Sequence, residues 1–170
     1  MRRAPGACGF ACDGCSTTAS TWVESIGRTM SITAEQFYEA IGNVRSDLPA
    51  KMKRFMAAAA ALGVEADFRG ALNLRWTRPA APPINFGVIE RNGHIWTETV
   101  SAHAPPDLAH RYIQELASAF GMQVQKSGLK GAWQVRDDDH APRIEDVADK
   151  LDLWIAAIEH FIVGMAKAAE

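Results

Sequence analysis

All three cysteines of the chain stand within one short run, Cys8-Gly9-Phe10-Ala11-Cys12-Asp13-Gly14-Cys15. Three clustered thiolates are soft donors of the kind that can hold an iron–sulfur cluster. With one histidine they also make the Cys3His set of a tetrahedral zinc site. His94 and His103 are distant candidates for that fourth place. Cys8, Cys12 and Cys15 are therefore the candidate metal ligands, with an iron–sulfur cluster or zinc as the alternatives to a protein that needs no cofactor. A second group, Asp137-Asp138-Asp139-His140, offers hard oxygen donors suited to Mg²⁺ or Mn²⁺. The expectation for that group is plainer: an acidic loop ahead of a helix N-terminus, where negative charge is favoured.

Asp67, Glu90 and Glu98 are the carboxylates in the strand-rich part of the chain. Such a set can hold a divalent ion and orient water for hydrolysis. Glu90 is followed by Arg91-Asn92 and Glu98 by Thr99-Val100, so neither has a lysine two positions on. The five histidines show no HxxxH or HExxH spacing, and no Ser or Cys sits in a nucleophile motif. The chain accordingly leans away from an enzyme.

Trp76 and Trp96, with Trp133, fall on alternating segments, and Arg75, Arg78 and Arg91 accompany them, with Arg69 nearby. Aromatic faces can stack bases or line a ligand cavity, and guanidinium groups can take phosphate or an acidic partner. Trp76, Trp96, Arg75, Arg78 and Arg91 are the candidate binding residues, for a protein partner first and a nucleic acid second. Packing of the tryptophans under helices is the simpler outcome.

The elements that must position these groups are legible from periodicity. Residues 1–29 hold every cysteine and no periodic pattern, and are expected to be a disordered extension, with one domain over 30–170. Thr33 and Gln36 have capping-box spacing. Phe37, Ile41, Val44 and Leu48 then recur at helical intervals, and Pro49 makes the helix kink or restart. Met52 to Leu62 carry the apolar stripe on, and Gly63 stops it.

The period then becomes twofold. Leu72 to Trp76 predicts one strand, Pro79 to Pro83 a break, and Ile84 to Val88 a second strand. Asn92-Gly93 is a hairpin turn leading into a third strand, His94 to Val100. Pro105 to Phe120 reads as a helix stopped by Gly121. Met122 to Lys126 and Ala132 to Arg136 read as a strand pair around Ser127-Gly128. A last helix has its seam at Ile144, Val147, Leu151, Trp154, Ile158, Ile162 and Met165. The predicted class is α+β: helix, three strands, helix, two strands, helix, with one mostly antiparallel five-stranded sheet under the helices.

The chain has 18 basic and 20 acidic residues in 170, a net charge of −2, and is 48% hydrophobic. That balance excludes a global pull toward nucleic acid or anionic lipid. No apolar run approaches a membrane span, so no membrane association and a cytoplasmic location are expected. Three clustered cysteines cannot all pair with one another, which argues against a disulfide framework.

The element order over residues 33–167 resembles the class I type III secretion chaperones. That resemblance implies a non-enzymatic chaperone-like or adaptor-like domain, homodimeric, that captures an extended partner segment on a strand edge or in a groove beside the helices. Two other resemblances define the alternatives. Helix, three strands, helix, strand is similar to the core of PD-(D/E)xK nucleases, which implies a divergent metal-dependent nuclease or nucleic-acid-binding protein. The CxxxCxxC spacing resembles radical S-adenosylmethionine enzymes, although Gly14 stands where that family carries an aromatic residue.

Overall fold

The computed structural model describes residues 31–128 and 131–168. Cys8, Cys12 and Cys15, and the extension expected over 1–29, lie outside the described residues. Helix α1 (Ala34–Val44) opens with the anticipated capping box: Gln36 N donates to Thr33 Oγ1 at 3.2 Å, and Thr33 N donates to Gln36 Oε1 at 3.0 Å. The chain leaves the helix at Arg45 and restarts as α2 (Leu48–Ala61), with Pro49 in the first turn where no amide donor is needed. Phe37, Ile41, Leu48, Met52, Phe55 and Ala59 are buried, one continuous apolar stripe across two helices.

Strands β1 (Val64–Phe68), β2 (Leu72–Arg78), β3 (Ala81–Ile89) and β4 (Ile95–Trp96) form an antiparallel meander in that order. β1 gives little sequence signal because only Val64 of its five residues is wholly buried. The expected break at Pro79–Pro83 is instead a two-residue turn, Pro79-Ala80, with Pro82 and Pro83 inside β3. Arg78 pairs with Ala81 and Trp76 with Ile84, so Thr77 alone opposes both prolines. A bulge tolerates residues that cannot donate to the ladder.

A second bulge corrects the expected alternation in β3. Asn73 pairs with Val88 and Arg75 with Asn85, which leaves Leu74 opposite Phe86 and Gly87 together. The extra residue flips the parity, so Ile84, Phe86 and Ile89 are buried while Val88 turns to the other face. The β3–β4 connection is the hairpin that Asn92-Gly93 signals: Glu90 N donates to the His94 carbonyl at 2.9 Å, and Gly93 takes a φ of +91°.

The third strand is shorter than expected. After Trp96 the chain enters a 3-10 turn, Glu98–Ala102. Thr97, 1% exposed, spends its hydroxyl on the backbone N–H of Val135 at 3.0 Å. That side-chain bond ties β6 (Trp133–Arg136) to the end of β4, so β5 (Gln123–Lys126) and β6 make a separate two-stranded sheet. The six strands of the described residues form sheets of four and two, not one sheet of five.

Helix α3 (Pro106–Phe120) ends at Gly121, whose φ of +74° is the left-handed stop that glycine adopts freely. The final helical pattern is divided into α4 (Ile144–Val147) and α5 (Leu151–Lys167). Between them Lys150 Nζ donates to the Phe120 carbonyl at 2.6 Å, a cation on the C-terminal end of α3. The core lies between the inner face of the meander and helices α2, α3 and α5, with Trp154 and Tyr112 its largest fully buried side chains. Tyr112 Oη donates to the Phe86 carbonyl at 2.8 Å and accepts from Trp154 Nε1 at 2.7 Å, joining β3, α3 and α5 through one hydroxyl. No helix among the described residues is long and apolar enough to cross a membrane.

Candidate functional site: the polar face of the sheet

The meander has two chemically unlike faces. Leu72, Leu74, Ile84, Phe86 and Ile89 are buried in the core. Asn73, Arg75, Asn85 and Asp67 stand on the opposite side and line a cleft of about 590 Å³. The 3-10 turn closes this cleft with Glu98, Thr99 and His103. A second cavity of about 460 Å³ adjoins it along β1, sharing Asp67, Arg69, Arg75 and Pro83 and adding Glu65 and Thr77. Together they form a groove from the β1 edge to the 3-10 turn.

Hydrogen bonds within the groove hold its polar groups in place. Arg75 Nη1 donates to Asp67 Oδ2 at 2.7 Å, and Arg69 Nε reaches the same oxygen at 2.9 Å. Burial works to raise the Asp67 pKa, but the Arg75 hydrogen bond and the Arg69 charge outweigh it and hold the carboxyl below its ordinary range. Asn73 Nδ2 donates to the Asp67 carbonyl at 3.0 Å, and its Oδ1 accepts from Asn85 Nδ2 at 3.0 Å. Asn85 Oδ1 in turn accepts from Gly87 N at 3.2 Å, and its carbonyl accepts from Thr99 Oγ1 at 3.1 Å. This relay anchors the turn to the sheet. Glu98 Oε2 is different: it is buried without a hydrogen-bond partner among the described residues.

The structure separates the candidate residues that the sequence groups together. Arg75 lines the groove. Trp96 pairs with Val88, itself the partner of Asn73, so Trp96 shares that outer face. Trp76 pairs with Ile84 on the inner side, where it is half-buried with its ring 6.3 Å from Phe86. Arg78 lies 5.7 Å over the Trp76 ring and donates to the Pro82 and His103 carbonyls. Arg91 sits in the β3–β4 turn beside a different cavity with Gly70 and Glu90. The five do not make one surface. Trp133 is half-buried, its ring 4.6 Å from that of His110.

The carboxylate set is also divided. Asp67 and Glu98 share the cleft, whereas Glu90 is at the opposite hairpin, 3.8 Å from His94. Asp137 to His140 is a tight turn: Asp137 N and His140 N each donate to the other's carbonyl, at 3.0 and 2.9 Å. Among the described residues no three His, Cys, Asp or Glu side chains converge to hold a metal ion.

Asn73, Asn85 and Thr99 had no place in the sequence-based candidate set, and His103 entered it only as a distant zinc ligand. A usable signal was present, because asparagine is a poor strand former and here occupies outward positions on two adjacent strands. Comparison with protein-family models, curated proteins and solved structures finds no match for this chain.

Proposed function

We propose that this chain is a chaperone-like or adaptor-like protein-binding domain that takes an extended partner segment into the groove on the outer face of its four-stranded sheet. The observation that carries this reading is the confluence of two cavities, about 590 and 460 Å³, alongside β1, an edge strand paired only with β2 among the described residues. Five residues of extended chain span roughly 16 Å, the reach of a strand like β1. An incoming segment of that form finds backbone groups along the edge and fixed side-chain donors and acceptors across the face. Arg75 and the two asparagines are held before a ligand arrives, which limits the ordering entropy lost on binding. The homodimer belongs to the same proposal: Leu153 and Val163, the exposed large apolar side chains of the described residues, both lie on α5, away from the groove. Light scattering on the full chain measures it directly.

The groove is tested by panning a random-peptide display library on the immobilised full chain and on Thr77→Trp in parallel. Thr77 is exposed and lines the second cavity, so an indole there fills the groove without entering the core. Wild-type protein should enrich a family of sequences that the variant fails to hold. Enrichment of the same sequences on both proteins, or of none on wild type, overturns the proposal.

A further inference from the structure

We infer that the segment bound in this groove carries a basic side chain, seated against Glu98, and that Glu98 is the residue that selects it. This rests on the groove reading above and deepens it. Glu98 lines the 590 Å³ cleft, and its Oε2 is buried with no hydrogen-bond partner among the described residues. A carboxylate oxygen removed from water and left unpaired is strongly destabilising, and a turn of the Glu98 side chain into the cleft relieves that cost when a ligand brings a donor. The described residues of the free chain do not supply one. The two guanidinium groups lining the cleft, Arg69 and Arg75, both bind Asp67.

The charge pattern of the cleft follows from that division. Among the described residues Asp67 is paired with arginines and Glu98 Oε2 is not paired. The two arginines and two carboxylates of the cleft balance in number, but both arginines are engaged at Asp67, so the group that completes the site at Glu98 is a cation with N–H donors: the guanidinium of arginine or the ammonium of lysine. The remaining wall of the cleft suits the rest of such a segment. Asn73, Asn85 and Ser101 present groups able to bond to peptide amides and carbonyls. A strand-like segment turns alternate side chains to the sheet face, so one basic residue can enter the cleft while its neighbours face solvent. Acidic peptides are disfavoured at the same point by repulsion from Glu98.

The display selection is repeated with Glu98→Gln, which keeps the shape and removes the charge. Wild-type protein should enrich sequences with Lys or Arg at one fixed position, and Glu98→Gln should lose that preference. For a synthetic peptide made from an enriched sequence, changing its arginine to neutral citrulline should weaken binding to wild type about tenfold. The same change should leave binding to Glu98→Gln nearly unaltered. Enriched sequences without a basic position, or an unchanged preference on Glu98→Gln, overturn the role of Glu98 while the groove stands. Sequences that ignore Thr77→Trp, or no enrichment, remove the groove and this inference together. A measurement without ligand separates the remaining case. Glu98→Gln should melt no lower than wild type, because it relieves an unpaired buried charge; a fall of several degrees means that Glu98 already has a structural role in the free chain.

Discussion

Replacing Tyr112 by Phe deletes one oxygen atom from the centre of the core and strands two polar groups. Tyr112 is 1% exposed, and its hydroxyl donates to the Phe86 carbonyl at 2.8 Å and accepts from Trp154 Nε1 at 2.7 Å. Burial pushes its pKa far up, so it is a neutral donor and acceptor throughout the working range. Losing the bond to the carbonyl costs about 1 kcal/mol, and the indole N–H left buried without an acceptor costs about 2 kcal/mol more. A total of about 3 kcal/mol is a sizeable part of the roughly 5–15 kcal/mol that holds a domain folded. For a domain of this size it lowers Tm by roughly 9–12 °C. The assay is urea unfolding followed by tryptophan fluorescence, with the midpoint and slope fitted together. A double-mutant cycle with Trp154→Phe sharpens it, since the cavity left by the indole is common to both backgrounds. Removing the indole after the hydroxyl also removes the stranded N–H, so the double variant should be more stable than the summed single effects by about 1–2 kcal/mol. A loss below about 1 kcal/mol for Tyr112→Phe, or strict additivity in the cycle, refutes the relay as the tie between β3, α3 and α5.

Gly87→Ala should destabilise by about 1–3 kcal/mol through overpacking. A Cβ there meets the rigid Trp154 ring at 3.0 Å and the Trp96 carbonyl at 3.4 Å, whereas Gly128→Ala meets nothing within 4 Å and serves as the neutral control. Acid should weaken the fold partly through Asp47, whose pKa is held at about 2 by hydrogen bonds from Arg45 and then Lys51 against an ordinary 3.8. A depressed carboxyl pKa adds stability that is complete above the unfolded value and fades as pH falls from about 4 to about 2. Asp149, lowered by its bond to Lys51, acts in the same direction. Both are solvent-exposed, so the effect is small; Asp47→Asn should flatten the acid limb of a Tm-against-pH curve, and an unchanged limb contradicts this assignment.

Local chemistry made the helices and two of the turns readable. Thr33 with Gln36, Pro49, and Gly121 each act on their nearest neighbours, and each does in the folded chain what its position suggests. Asn92-Gly93 likewise marks a hairpin whose geometry depends on a few adjacent dihedrals. The strands were harder to read because their parity is not a local property. Val88 continues the alternation of Ile84 and Phe86, yet the bulge opposite Leu74 sends it outward and brings Ile89 in. The bulge exists only once β2 and β3 are paired. The last helix shows the same limit, since its interruption at Lys150 coincides with a carbonyl of α3 thirty residues earlier in the chain.

The candidate site divides along the same line. Residue types alone marked Arg75 as a candidate binding group and Asp67, Glu90 and Glu98 as candidate carboxylates. They did not reveal that Arg75 and Arg69 both bind Asp67, or that Glu98 Oε2 is left without a hydrogen-bond partner among the described residues. They also grouped Trp76 with Arg75, which pleating puts on opposite faces of one strand. The sequence by itself determined an α+β chain, its helix starts and stops, and its candidate ionic groups, since those depend on covalent neighbours and apolar periodicity. Tertiary structure alone decided which charges are paired, because pairing depends on contacts between strands and turns far apart in the chain. It turned an arginine-rich strand face into a groove in which both arginines are bound to one carboxylate, Asp67.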